Sequence, residues 1–148
     1  PIPNGSQIYL EVRDIGNQTT LTDKRTISLD APRNVSADPT MNADGAGTSM
    51  KLEKTATYTC KIAVNANTPV TVTAKMRRNS QYVGTSPGIT LSGLGVSDTA
   101  AMLGGADIWE TLQVSGTPNA KGVLSLTVES ASTDPTGCAW LDDISVSQ

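Results

Sequence analysis

Tyr82 stands in a polar stretch, Asn79-Ser80-Gln81-Tyr82-Val83-Gly84-Thr85-Ser86-Pro87, between two alternating apolar segments. An exposed tyrosine ring can stack on the C–H face of a pyranose. The amides of Asn79 and Gln81 offer donors and acceptors to the sugar hydroxyls. These three residues form the candidate ligand-binding group. Asp142 and Asp143 are the candidate metal ligands, since Ca²⁺ collects about six to eight oxygens from carboxylates and carbonyls. Asp38, Asp44 or the backbone carbonyls of residues 45–47 would complete such a set; otherwise the pair serves as edge charges that cap loops. Cys60 and Cys138 can form one disulfide if their strands bring the Cα atoms to roughly 5.5–6 Å. The alternative is two free thiols packed as small hydrophobes.

Catalysis has little to stand on. The chain has no histidine, which excludes Ser-His-Asp and Cys-His nucleophilic chemistry, His-ligated zinc or haem, and histidine pH sensing. A cysteine nucleophile would also lack its base. Glu11, Glu53, Glu110 and Glu129 fall singly on the outer faces of expected strands. Glycoside hydrolysis needs two carboxyl groups facing each other across a cleft, roughly 5–10 Å apart. No catalytic residue is assigned, and no enzymatic activity is expected.

The elements that must carry these residues are strands. Residues 70–77 alternate strictly, with Val70, Val72, Ala74 and Met76 on one face and Thr71, Thr73, Lys75 and Arg77 on the other. Residues 57–64 repeat the pattern with Tyr58, Cys60, Ile62 and Val64 inward. Residues 123–130 do so with Leu124, Leu126 and Val128 inward. Each is a strand with one dry and one wet face, as in an antiparallel sandwich. Shorter strands are predicted at 8–12, 26–29, 49–54, 88–91, 100–103, 111–114 and 138–146. Alternation within the last groups Trp140 with Cys138, Ile144 and Val146, all inward. Residues 30–48, rich in Pro, Gly, Asn and Asp, read as a long surface excursion. Residues 1–30 read as an arm or an extra hairpin. The fold class is all-β, a two-sheet jelly roll formed by one domain over 1–148 and best supported over 47–148.

Composition bounds the partners. The 148 residues are 37% hydrophobic and 17% charged, with 11 basic and 14 acidic side chains giving a formal charge of −3. That balance, without basic runs, argues against a nucleic-acid partner. No apolar stretch approaches the roughly 20 residues that span a bilayer as a helix. Asn-x-Ser/Thr sequons occur at Asn4, Asn17 and Asn34, a frequency that chance allows in a chain this rich in Asn and Thr. Aromatic residues are scarce: two Trp, three Tyr and no Phe.

Gly47-Thr48-Ser49-Met50-Lys51-Leu52, the strands at 60–64 and 70–76, the Trp109 strand, the strand after Gly122, and Ala139-Trp140-Leu141-Asp142-Asp143-Ile144-Ser145-Val146 occur in a telling order. In that order they resemble the carbohydrate-binding-module, or galactose-binding-like, β-jelly roll. The resemblance implies that Trp109 and Trp140 occupy interior positions. It also implies that a structural calcium could tie the last strand to the N-terminal region. The connection Ser80-Gln81-Tyr82-Val83-Gly84-Thr85-Ser86-Pro87 is similar to jelly-roll domains of tailed-phage structural proteins.

With both tryptophans assigned to the core, Tyr82 is the aromatic expected at the surface. The leading expectation is therefore a non-enzymatic structural or decoration module on a phage virion surface, homo-oligomeric or bound to neighbouring virion subunits. The alternative is a secreted carbohydrate-binding module, appended to an enzyme or adhesin, whose partner is a glycan. No cofactor is expected beyond the calcium.

Overall fold

The structure is a computed structural model that describes the strand backbones Gln7–Leu10 and Arg25–Ser28 and all of Asn34–Gln148. The chain divides into two units, Pro1–Arg33 and Asn34–Gln148. In the first, β1 (Gln7–Leu10) and β2 (Arg25–Ser28) pair antiparallel. Glu11, Asn4, Asn17 and the side chain of Tyr9 lie outside the described residues.

The second unit is built from nine strands: β3 (Val35–Asp38), β4 (Ser49–Glu53), β5 (Thr55–Val64), β6 (Val70–Arg78), β7 (Gly84–Gly93), β8 (Val96–Ala101), β9 (Glu110–Gly116), β10 (Gly122–Ser132) and β11 (Cys138–Ser147). They form a four-stranded sheet in the order β5-β10-β7-β8 and a five-stranded sheet in the order β3-β4-β11-β6-β9. Every pairing is antiparallel. The expected two-sheet jelly roll is the fold observed. Part of the expected excursion at 30–48 is itself a strand, since β3 pairs with β4 along Val35–Asp38.

The period-2 pattern sets which faces meet. Leu124, Leu126 and Val128 of β10 and Ile89 and Leu91 of β7 face Val70, Val72 and Met76 of β6 and Leu112 and Val114 of β9. All are nearly or fully buried. Without phenylalanine, aliphatic side chains and methionine fill the sandwich. Each fully buried Leu or Val contributes about 1.5–3 kcal/mol.

β11 departs from simple alternation. Its pairing with β6 slips by one residue between Asp142 and Ser145, where Asp143 takes a φ of 50°. Before the slip, Ala139 and Leu141 belong to the core. After it, Val146 pairs with Val72 on the core side. A one-residue bulge exchanges the faces of everything beyond it. Trp140 and Cys138 therefore do not share the face of Val146, as strict alternation suggested. Trp140 is buried, at 7% exposure, but on the outer face of the five-stranded sheet, while Ile144 and Val146 are 47% and 46% exposed. Trp109 also leaves the expected interior. It is half-buried and continues the outward phase of Thr111, Gln113 and Ser115.

Candidate functional site

The outer face of the four-stranded sheet is rich in hydroxyl-bearing side chains. Register places Thr59, Thr127, Thr90 and Thr99 in one row across all four strands. Their hydroxyls bond in pairs, Thr59 to Thr127 at 3.2 Å and Thr90 to Thr99 at 3.1 Å. The adjacent row is Thr57, Glu129, Gly88 and Ala101. A trough of about 320 Å³ opens over this second row and is also lined by Thr55, Thr85, Ser86, Thr90, Thr99, Ser130 and Ala131.

Three features shape the trough. Gly88 forms its floor: a Cβ there would run into the carbonyl oxygen of Ala100 on β8, so the backbone approach requires glycine. Next to it, the β7–β10 register shifts between Glu129 and Ala131, and such bulges re-aim side chains at strand ends. Glu129 is the one charged residue lining the trough. Its carboxylate meets no cation among the ion pairs of the described residues. The chemistry on offer is an acceptor-only carboxylate ringed by groups that donate or accept, above a floor without side chains. That suits a ligand edge carrying adjacent hydroxyls.

Tyr82 is half-buried and packs against the core. Its hydroxyl donates to the carbonyl of Thr85 on β7 at 2.9 Å and accepts the amide of Ala131 on β10 at 2.7 Å. It bridges the two strands where their ladder is broken, and so braces one end of the trough from within. Asn79 is committed as well. Its Oδ1 accepts the Cys138 amide at 3.0 Å, and its Nδ2 donates to the Thr136 carbonyl at 2.9 Å. Gln81 is exposed. Exposure of Tyr82 was the premise of the aromatic-platform expectation, and the two backbone bonds explain why the ring turns inward instead.

Asp142 and Asp143 come together with Asp44, their carboxylate oxygens all within 4.8 Å of one another. Asp142 accepts the amides of Ala43 at 2.8 Å and Asp143 at 2.9 Å. Asp44 accepts the amide of Ala46 at 3.0 Å. Asp143 pairs with Lys75 at 2.9 Å, which raises the lysine pKa. A calcium ion would have to share this space with an ammonium group already bonded to one ligand. As arranged, Lys75 supplies a counter-charge to the three carboxylates, and the set fastens the 39–48 loop over β11. Asp38 is engaged elsewhere, with Thr40 and Trp140.

Both cysteines are free. Cys60 belongs to β5 and packs against the core, whereas Cys138 lies on the outer face of β11, opposite Glu53. Different sheets and opposite faces exclude the bridge that inward phase for both residues would have allowed. Burial raises the Cys138 pKa.

Glu129 and Thr57, Thr59 and Thr127 were legible as outward residues of their strands. What placed them side by side was the register of β5, β10, β7 and β8, which no single strand reveals. Glu110, expected outside, instead shares the inward phase of Leu112 and Val114 at the start of β9, where it accepts the amides of Leu103 at 3.1 Å and Gly104 at 2.8 Å.

No family model and no curated protein matches the chain. Solved structures do. One is Family 16 Carbohydrate Binding Module-2, with a TM-score of 0.59 and 21% identity over 78% of this chain and 86% of that one. Another is the Clostridium thermocellum N-terminal endo-1,4-β-D-xylanase 10B, comprising CBM22-1 and GH10 modules complexed with xylohexaose, at TM-score 0.58 and 13% identity. There the similarity covers 77% of this chain but only 24% of the xylanase chain. A third is TmCBM61 in complex with β-1,4-galactotriose, at TM-score 0.52 and 14% identity over 77% of this chain and 86% of that one. At these identities the similarity is one of fold: residues 34–148 form a β-jelly roll of the carbohydrate-binding-module type.

Proposed function

We propose that this chain is a non-catalytic carbohydrate-binding module that takes a sugar ring into the Glu129 trough. The observation that carries the reading is the row Thr57, Glu129, Gly88 and Ala101. It sets one carboxylate among hydroxyls over a glycine floor, on a fold whose solved examples include modules complexed with oligosaccharides. Glu129 accepts hydrogen bonds from two neighbouring sugar hydroxyls, while Thr57, Thr90 and Thr99 supply donors and acceptors around them. Gly88 and Ala101 let the ring approach the backbone. With no aromatic ring in the trough, affinity rests on hydrogen bonds worth about 0.5–1.5 kcal/mol net each, more at the carboxylate. That predicts weak binding, with a dissociation constant on the order of 0.1–1 mM.

A polysaccharide partner corresponds to the secreted alternative read from the sequence. The similar folds favour that alternative over a virion subunit, for which neither the structure nor the comparisons supply an observation. The test is titration of the protein with xylohexaose, cellohexaose and β-1,4-galactotriose. Saturable binding of at least one supports the reading, and no binding at 10-fold excess over about 1 mM counts against it.

A further inference from the structure

Leu103 is 91% exposed, the most exposed large hydrophobic side chain among the described residues. Its position follows from the strands beside it. Gly88 and Ala101 are paired at the end of β8, and the Met102 amide donates to the Pro87 carbonyl at 3.0 Å. That bond carries the pairing one residue beyond β8, to Met102 and Pro87. Ala101 and Ser86 both line the trough, and Met102 between Ala101 and Leu103 is buried in the core. Alternation therefore returns Leu103 to the trough side of the sheet, just beyond the residues that line it.

The backbone beneath this leucine is held firmly. Its own amide donates to both carboxylate oxygens of Glu110 at 3.1 Å, and the Gly104 amide donates to Oε2 at 2.8 Å. Arg78 reaches across the end of the sandwich, donating from Nη2 to the Gly104 carbonyl at 2.8 Å and from Nη1 to the Ser86 hydroxyl at 2.9 Å. One arginine thus ties the Leu103 turn to the trough wall. An isolated exposed leucine is ordinary. One set on a clamped turn at the end of the hydroxyl-lined trough has its backbone already ordered, so only side-chain freedom is lost on binding.

We infer that Leu103 is the apolar wall of the site. It packs on the C–H face of the sugar ring whose hydroxyl edge Glu129 holds, doing with an aliphatic side chain what the trough has no aromatic ring to do. Glu110 and Arg78 are its positioning residues. This inference rests on the trough being the sugar site.

The test titrates wild-type protein, Leu103→Ala, Leu103→Trp and Glu129→Gln with xylohexaose, cellohexaose and β-1,4-galactotriose, and records each melting curve. Leu103→Ala is expected to weaken binding about 3- to 10-fold, and Leu103→Trp to strengthen it, with melting unchanged because the side chain is exposed. Leu103→Ala binding like wild type while Glu129→Gln fails to bind would overturn the role of Leu103 and leave the trough standing. Absence of wild-type binding to all three sugars, or Glu129→Gln binding like wild type, would overturn the trough and this inference with it.

Discussion

The indole Nε1 of Trp140 donates to Oδ2 of Asp38 at 2.9 Å, joining residues 102 positions apart. The other carboxylate oxygen of Asp38 accepts the amide of Thr40 at 2.9 Å and its hydroxyl at 2.7 Å. One aspartate therefore ends β3, starts the loop that follows, and satisfies the polar atom of a tryptophan buried on the outer face of β11. Removing the carboxylate leaves a buried N–H without its partner. Asp38→Ala is expected to destabilise the second unit by about 1–3 kcal/mol, measured by urea denaturation. A change under about 0.3 kcal/mol would show that water replaces the bond without loss.

The same contacts predict a response to acid. Hydrogen bonds from the Thr40 hydroxyl first, then from Trp140, lower the Asp38 pKa from 3.8 to about 2. A carboxyl group whose pKa falls on folding contributes stability above its unfolded value, and that contribution is lost as pH drops through the folded value. The contribution should be whole above pH about 4 and fade toward pH 2. Trp140 fluorescence in a Trp109→Phe background should change over that window, and Asp38→Asn should flatten the change. An identical acid profile in Asp38→Asn would assign the transition to another group.

Tyr82 is expected to matter to stability through its hydroxyl. Tyr82→Phe keeps the ring but leaves the Ala131 amide and the Thr85 carbonyl without their partner at the β7–β10 irregularity. A loss of about 1–2 kcal/mol in thermal or denaturant unfolding is expected. Because Thr85 and Ala131 line the trough, sugar affinity should fall as well. Full retention of both would show that the strands hold the bulge unaided.

These residues show what a single sequence makes readable. The inward phases of β5, β6 and β10 came directly from the alternation of apolar and hydroxyl side chains, and with them the sandwich. The Tyr82 loop was placed correctly between strands, yet the ring's direction depends on Thr85 and Ala131, whose backbone groups become its partners only after β7 and β10 pair. Trp140 was recognised as buried, but a bulge three residues later changed which other residues share its face. The trough was the least legible part. Its row is assembled from four strands, and its floor is a glycine whose importance appears only when Ala100 lies against it.

The acidic cluster gives a prediction of opposite sign to a calcium site. Lys75 already supplies the positive charge beside Asp143, so addition of a chelator should leave the melting midpoint unchanged. Removing that ammonium by Lys75→Met should lower the midpoint by bringing three carboxylates together without a counter-charge. A chelator-dependent fall of several degrees in the wild-type protein would instead establish a bound divalent cation and overturn this account of the cluster.

Thiol labelling separates the two cysteines. Burial raises the Cys138 pKa, so in native protein Cys138 should react with a disulfide reagent far more slowly than Cys60, which is only half-buried. Both should react once the chain is unfolded without reductant. One unreactive pair under those conditions would mean that a bridge forms after all.

Sugar binding at the Glu129 trough is tested most directly by calorimetric titration of wild-type protein and Glu129→Gln with xylohexaose, cellohexaose and β-1,4-galactotriose. Glutamine keeps the size of the side chain but replaces one acceptor oxygen with a donor and removes the charge. Saturable wild-type binding to at least one of these sugars is expected, with at least a 10-fold loss in Glu129→Gln at an unchanged melting temperature. Equal affinity in the two proteins, or no binding by the wild type, would contradict sugar binding at the trough.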